Sequence, residues 1–173
     1  MGHIAEIITG PFTLSRMYAE GLVKDIPADK FRRKPDGIDV NSPAFNFGHL
    51  AVYPERILTM IGREDLALKD TRYADLFSAG KPGLDDPDGT VYPAMGEIMS
   101  RFYERYAVAV ETARTVDESV FQKPNPSANE NFRKMLPTVG LVVAFLLDGH
   151  CQTHLGQVSA WRRCMGMAAA FPG

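Results

Sequence analysis

Apolar residues recur at steps of three and four along four stretches of the chain, the spacing of helices with one face turned inward. The cleanest stretch opens at Tyr92-Pro93. It carries Met95, Ile98, Met99, Phe102, Tyr106, Ala109, Val110 and Ala113 on one side, with Arg101, Glu104, Arg105 and Glu111 on the other. An N-terminal stretch from Ile4 to about Lys24 sets Ile4, Ile7, Ile8, Phe12, Met17, Tyr18 and Leu22 inward. It is expected to kink or restart at Gly10-Pro11, where proline removes a backbone donor. A second helix is predicted from Pro43, with Ser42 as N-cap, to Ile61, stopped by Gly62. The last opens at Pro137 and aligns Val143, Leu146, Leu147, His150, His154, Gln157, Val158, Trp161 and Met165 on one stripe.

The segments between these stretches read as connectors. Lys34 to Asn41 is a polar turn region, and Gln122 to Asn131 is rich in proline and asparagine. Lys81 to Gly89 gathers glycine, proline and aspartate and reads as a solvated acidic connector rather than a lid. Gly140, Gly149 and Gly156 each cost helical stability, about 1 kcal/mol, and point to close packing of neighbours. With no convincing alternating strand, the expected fold class is all-α, an antiparallel four-helix bundle forming a single domain over residues 1–173.

Two histidines interrupt the apolar stripe of the last helix. His150 and His154 are four residues apart, so their rings stand one above the other on a helix face and can point at one shared atom. Burying imidazoles without partners costs roughly 1–3 kcal/mol each, so two on one face are best compensated together. A metal ion does this, and so do hydrogen bonds to backbone carbonyls. His49 supplies a third imidazole from the second helix, flanked one turn earlier by Phe45 and Asn46 and one turn later by Val52 and Tyr53. Three of the four histidines thus occupy inward faces of two helices, His3 being the exception, and His49, His150 and His154 read as one metal site.

These residues carry a family resemblance. Asn46-Phe47-Gly48-His49 early in a second helix, then His150-x3-His154 followed by Gly156-Gln157 and Arg162-Arg163, resembles the DinB-like (damage-inducible) superfamily. The order of elements is similar too: a first helix ending near Lys24-Asp25-Ile26-Pro27, a loop at Tyr73-Ala74-Asp75-Leu76-Phe77, and a third helix from Tyr92-Pro93. The resemblance implies a four-helix bundle with a three-histidine metal site whose ligands fall on His49, His150 and His154. It leaves the chemistry open, because the family includes thiol-dependent transferases and isomerases, hydrolase-like proteins and members without known activity. Related bundles often pair through helix faces, so a homodimer is expected.

Composition narrows the field further. The 173 residues are 45% hydrophobic and 23% charged, as in an ordinary globular protein. A net charge of −2, with no basic cluster beyond Arg32-Arg33-Lys34 and Arg162-Arg163, argues against nucleic acid as a partner. The longest strictly apolar run, Leu141 to Leu147, is far short of the ~20 residues of a membrane span. No secretory signal is visible, and a cytoplasmic protein is expected. Cys151 and Cys164 lie ~20 Å apart if on one helix, too far for a disulfide, and both read as small buried hydrophobes.

Three histidines with no evident fourth ligand leave coordination positions for water or substrate, which favours chemistry over scaffolding. Imidazole suits zinc, nickel, iron, copper or cobalt, so ligand type alone does not name the ion; a divalent transition metal is expected, zinc or nickel first and iron next. Helical metalloproteases place a glutamate after the first histidine of the pair, and Cys151 stands there instead, so that activity is excluded. Hydrolysis of a small molecule and transfer of a low-molecular-weight thiol both stay open. So do a non-catalytic metal-binding bundle and a helical interaction protein without metal. Gln157 and Asn46 are placed for hydrogen bonds behind the ligands or to substrate, or for capping the core. Tyr53 and Arg56 read as a packed tyrosine and a solvated arginine rather than substrate contacts.

Overall fold

The computed structural model describes residues 2–170, and its regular elements are helical. Extended backbone pairs among the described residues only at an isolated bridge between Pro124 and Thr138. The elements are α1 (His3–Thr9), α2 (Phe12–Val23), α3 (Pro43–Leu50), α4 (Tyr53–Met60), a 3-10 turn (Glu64–Leu66), α5 (Thr71–Phe77), α6 (Met95–Ala113), α7 (Ser119–Gln122), α8 (Glu130–Met135), α9 (Val139–Ala144), a π segment (Phe145–Gly149) and α10 (His150–Cys164).

α3 is the centre of the arrangement, with all eight of its residues buried. It packs against α6, α10 and α5, while α2 lies on α10, α4 on α6, and α1 on α9 and α6. Phe47 of α3 meets Phe102 of α6 edge-on at 5.2 Å between ring centroids, and Phe12 of α2 stacks on Tyr106 of α6 at 4.7 Å. Such pairs contribute roughly 0.5–1.5 kcal/mol beyond the area they bury.

The first stretch breaks at Gly10-Pro11 as expected, but Ile7 and Met17 point to solvent, 62% and 54% exposed. The second is not one helix to Ile61. Pro54 has no N–H to bond the carbonyl of Leu50, so α3 closes at Leu50 through Ala51 and Val52 and α4 restarts at Tyr53. His49 therefore sits in the last turn of α3 rather than mid-helix. Ser42 does cap α3, its Oγ accepting from the Phe45 N–H at 3.3 Å.

Residues 73–77, read as loop, belong to α5, whose N-terminus is held by Asp70 accepting from the Tyr73 N–H at 3.2 Å. α6 starts at Met95, three residues after Tyr92. Its outer Arg101 and Arg105 are not solvated: they are 14% and 12% exposed and paired with Asp70 and Glu55. The final helix opens at Val139 with Thr138 as N-cap, not at Pro137. Of its glycines, Gly140 has the expected close neighbour, a Cβ there coming within 3.0 Å of Phe121, whereas Gly156 faces open space.

The π segment changes the register of that last helix. α-Helical spacing from Val142, Val143, Leu146 and Leu147 would bring His150 and His154 to the centre of the core. The wider π turn absorbs one residue more, so the buried positions that follow are Cys151, Leu155, Val158, Trp161 and Arg162. His150, His154 and Gln157 swing to the edge of the core and are half-buried. Cys164 is likewise turned out and exposed, contrary to the sequence reading, while Cys151 is buried, and both are free thiols.

Candidate metal centre

The three sequence-selected histidines come together. Ring centroids lie 4.6 Å apart for His49 and His154, 4.7 Å for His150 and His154, and 5.3 Å for His49 and His150. One nitrogen of each lies within 4.8 Å of the others. Nitrogens bound tetrahedrally at ~2.1 Å from one ion are ~3.4 Å apart, so small ring rotations close the cradle. His3 is exposed on α1 and takes no part.

Each ring is positioned differently. His49 Nδ1 lies 2.6 Å from the carbonyl oxygen of Phe77, so that nitrogen carries the proton and donates, leaving Nε2 with a free lone pair. Phe77 can come this close because residue 48 is glycine. A Cβ at Gly48 would lie 2.3 Å from the Phe77 ring. His154 Nδ1 lies 2.9 Å from Asn46 Oδ1. The Asn46 amide nitrogen is engaged by the carbonyls of Asn41 at 3.3 Å and Ser42 at 3.1 Å, so its oxygen faces the imidazole and His154 donates from Nδ1. Its Nε2 then carries the lone pair.

His150 Nδ1 is buried without a hydrogen-bond partner. Its ring is packed between Tyr53, 4.2 Å away, and Phe145, 5.7 Å away. An unpartnered imidazole nitrogen inside a cluster of two others with free lone pairs is the arrangement a cation compensates.

Electrostatics keep the three rings neutral. Burial depresses the pKa of all three. For His49 the bond to Phe77 opposes the effect. His150 is brought to about 4 by burial, with His49 and Arg56 adding to it, and His154 to about 3 by burial and the other two imidazoles. Neutral imidazole is the ligating form, so the donor set fits a divalent transition metal at ordinary pH.

Cys151, next to His150, turns into the core, and burial pushes its thiol up to about 12, leaving it outside the cluster. Gln157 lies beside both Asn41 and His154: its Oε1 is 3.5 Å from Asn41 Nδ2, and its side chain also interacts with the His154 imidazole, opposing the effect of burial on that ring. The Phe77 carbonyl and the Tyr53 ring are partners that sequence reasoning did not assign. Glycine directly before His49 was the available sign of a close approach there.

A family model described as the DinB superfamily matches residues 12–158, a span that takes in all three histidines. Neither curated proteins nor solved structures give a match.

Proposed function

This chain belongs to the DinB superfamily, and from that premise we propose that it is a metal-dependent enzyme acting on a small molecule, by hydrolysis or by transfer of a low-molecular-weight thiol. The observation that carries the reading is the convergence of three neutral imidazoles, two with Nδ1 committed to hydrogen bonds, with no fourth histidine, cysteine or carboxylate in the group among the described residues. A site of three protein ligands keeps positions open for water or substrate.

Zinc or nickel is the ion proposed, held by His49, His150 and His154; when bound it supplies a Lewis acid that lowers the pKa of a bound water or thiol. The protein's own part is orientation. The Phe77 carbonyl and Asn46 fix two tautomers, and Tyr53 walls the third ring. The same proposal takes the long helices as an antiparallel four-helix bundle, one domain, acting in the cytoplasm as a homodimer.

Mass spectrometry of protein purified without an affinity tag tests the site: one ion per chain in wild type, and none in His154→Ala, is expected. The metal-loaded protein is then offered activated esters and amides, and separately a thiol with an electrophile, with His49→Ala as control. Equal metal content in wild type and His154→Ala removes the site. A bound ion with no turnover in either arm leaves the non-catalytic reading.

A further inference from the structure

A cavity of about 550 Å³, within the range of small-molecule sites, has Tyr53 in its lining but none of the three histidines. Tyr53 is the shared wall. It lines the cavity, and its ring lies 4.9 Å from His49 and 4.2 Å from His150. Ser78 lines it too, one residue past the carbonyl that orients His49.

The charges around this cavity do not cancel. Glu55 is fully engaged, accepting from Arg105 at 2.7 and 2.9 Å and from the Leu68 N–H at 2.7 Å. Asp70 is engaged by Arg101 at 2.6 Å and by the Tyr73 N–H. Arg56 and Lys69 line the same cavity, and neither has a carboxylate partner among the described residues. Both also border an adjoining cavity of about 420 Å³, so they stand on the ridge between the two. Arg56 is close enough to His150 and Tyr53 for its charge to be felt at both. Leu68, Val52 and Ala74 make the remaining wall mostly apolar.

We propose that this cavity is the substrate pocket and takes a small organic anion, apolar in its body, whose carboxylate or phosphate head is held by Arg56 and Lys69. The proposal rests on the histidine cluster being the reaction centre. The anion's head is then anchored on the ridge while its other end lies toward Tyr53 and the imidazoles. A guanidinium and an ammonium together match either head, the first by paired hydrogen bonds and the second as a point charge.

Isothermal calorimetry with hexanoate, hexyl phosphate and hexanol tests it on metal-loaded wild type, on Arg56→Gln/Lys69→Gln, on Lys69→Gln alone and on His154→Ala. One of the anions is expected to bind about tenfold or more tightly than hexanol, and the tighter of the two identifies the head. That advantage shrinks in Lys69→Gln, disappears in the double variant, falls with added salt and persists in His154→Ala. Both substituted side chains are on the surface, and circular dichroism and metal content should be unchanged. Hexanol binding as tightly as both anions, or full anion affinity in the double variant, overturns the proposal. So does an advantage lost in His154→Ala but kept in the double variant, because the head would then sit on the ion. Absence of metal in wild type would sink the reaction-centre reading by itself, and the His154→Ala titration still reads the pocket.

Discussion

Asn46 Oδ1 and His154 Nδ1 lie 2.9 Å apart across the α3–α10 packing, and the asparagine can face the ring in only one way because its amide nitrogen is held by two backbone carbonyls. The orientation of a candidate ligand on one helix is thereby set by a residue of another. Asn46→Ala is expected to weaken metal binding by about 10- to 100-fold, the usual cost of losing such a partner. Competition against a chromophoric chelator measures it, and an unchanged affinity would show that the ring needs no such hold.

Gly48 admits the Phe77 ring against α3. Gly48→Ala forces that ring away and with it the carbonyl that orients His49, so stability should fall by about 1–3 kcal/mol and metal affinity should fall with it. Urea denaturation of metal-free protein and a metal titration read the two effects separately. Loss of stability with full metal affinity would disconnect Phe77 from the site.

How much of this was legible beforehand divides along physical lines. The helix periodicity, the Ser42 cap and the three histidines were readable because each is local or a matter of spacing along one face. Pro54 was in plain view, yet the apolar pattern continues through it from Phe47 to Ile57, and pattern alone joins α3 to α4. The π segment left no sign, since either register of the last helix puts apolar residues inward: Leu155 and Val158 in one, Val158 and Met165 in the other. Which histidine nitrogen stays free depends on Asn46 and on the Phe77 carbonyl, which are 108 and 28 residues away from their rings in the chain, beyond any spacing argument.

Metal-free protein should lose stability as pH falls below 6.5. All three histidines have folded pKa values depressed by burial, with His150 near 4 and His154 near 3 against 6.5 unperturbed. Between those values the unfolded chain binds protons that the folded chain refuses, so unfolding free energy rises with pH through the window and levels off above it. Denaturation midpoints from pH 4 to 8 check this. His150→Gln should flatten the slope, and an identical slope in that variant would place the proton uptake elsewhere.

Arg162 is 2% exposed and donates to the Leu22 carbonyl at 2.7 Å, to the Ala168 carbonyl at 2.9 Å and to Asp25. Arg162→Met leaves those carbonyls without their donor and should cost about 2–4 kcal/mol. The neighbouring exposed Arg163, whose guanidinium contacts Ser159 on the same helix, should change stability by less than about 0.5 kcal/mol when replaced by alanine. Thermal melts of the two variants distinguish a buried tether from a surface charge.

His49 and the His150–His154 pair enter the cluster from segments about 100 residues apart, so everything from α4 to α9 is a loop whose two ends meet at these rings. A cation held there works as a reversible staple at the neck of that loop. Opening the fold then requires releasing the ion, and each tenfold rise in free metal above its dissociation constant adds about 1.4 kcal/mol to the resistance against unfolding. The melting temperature of such a chain is a property of its solution's metal content as much as of its packing.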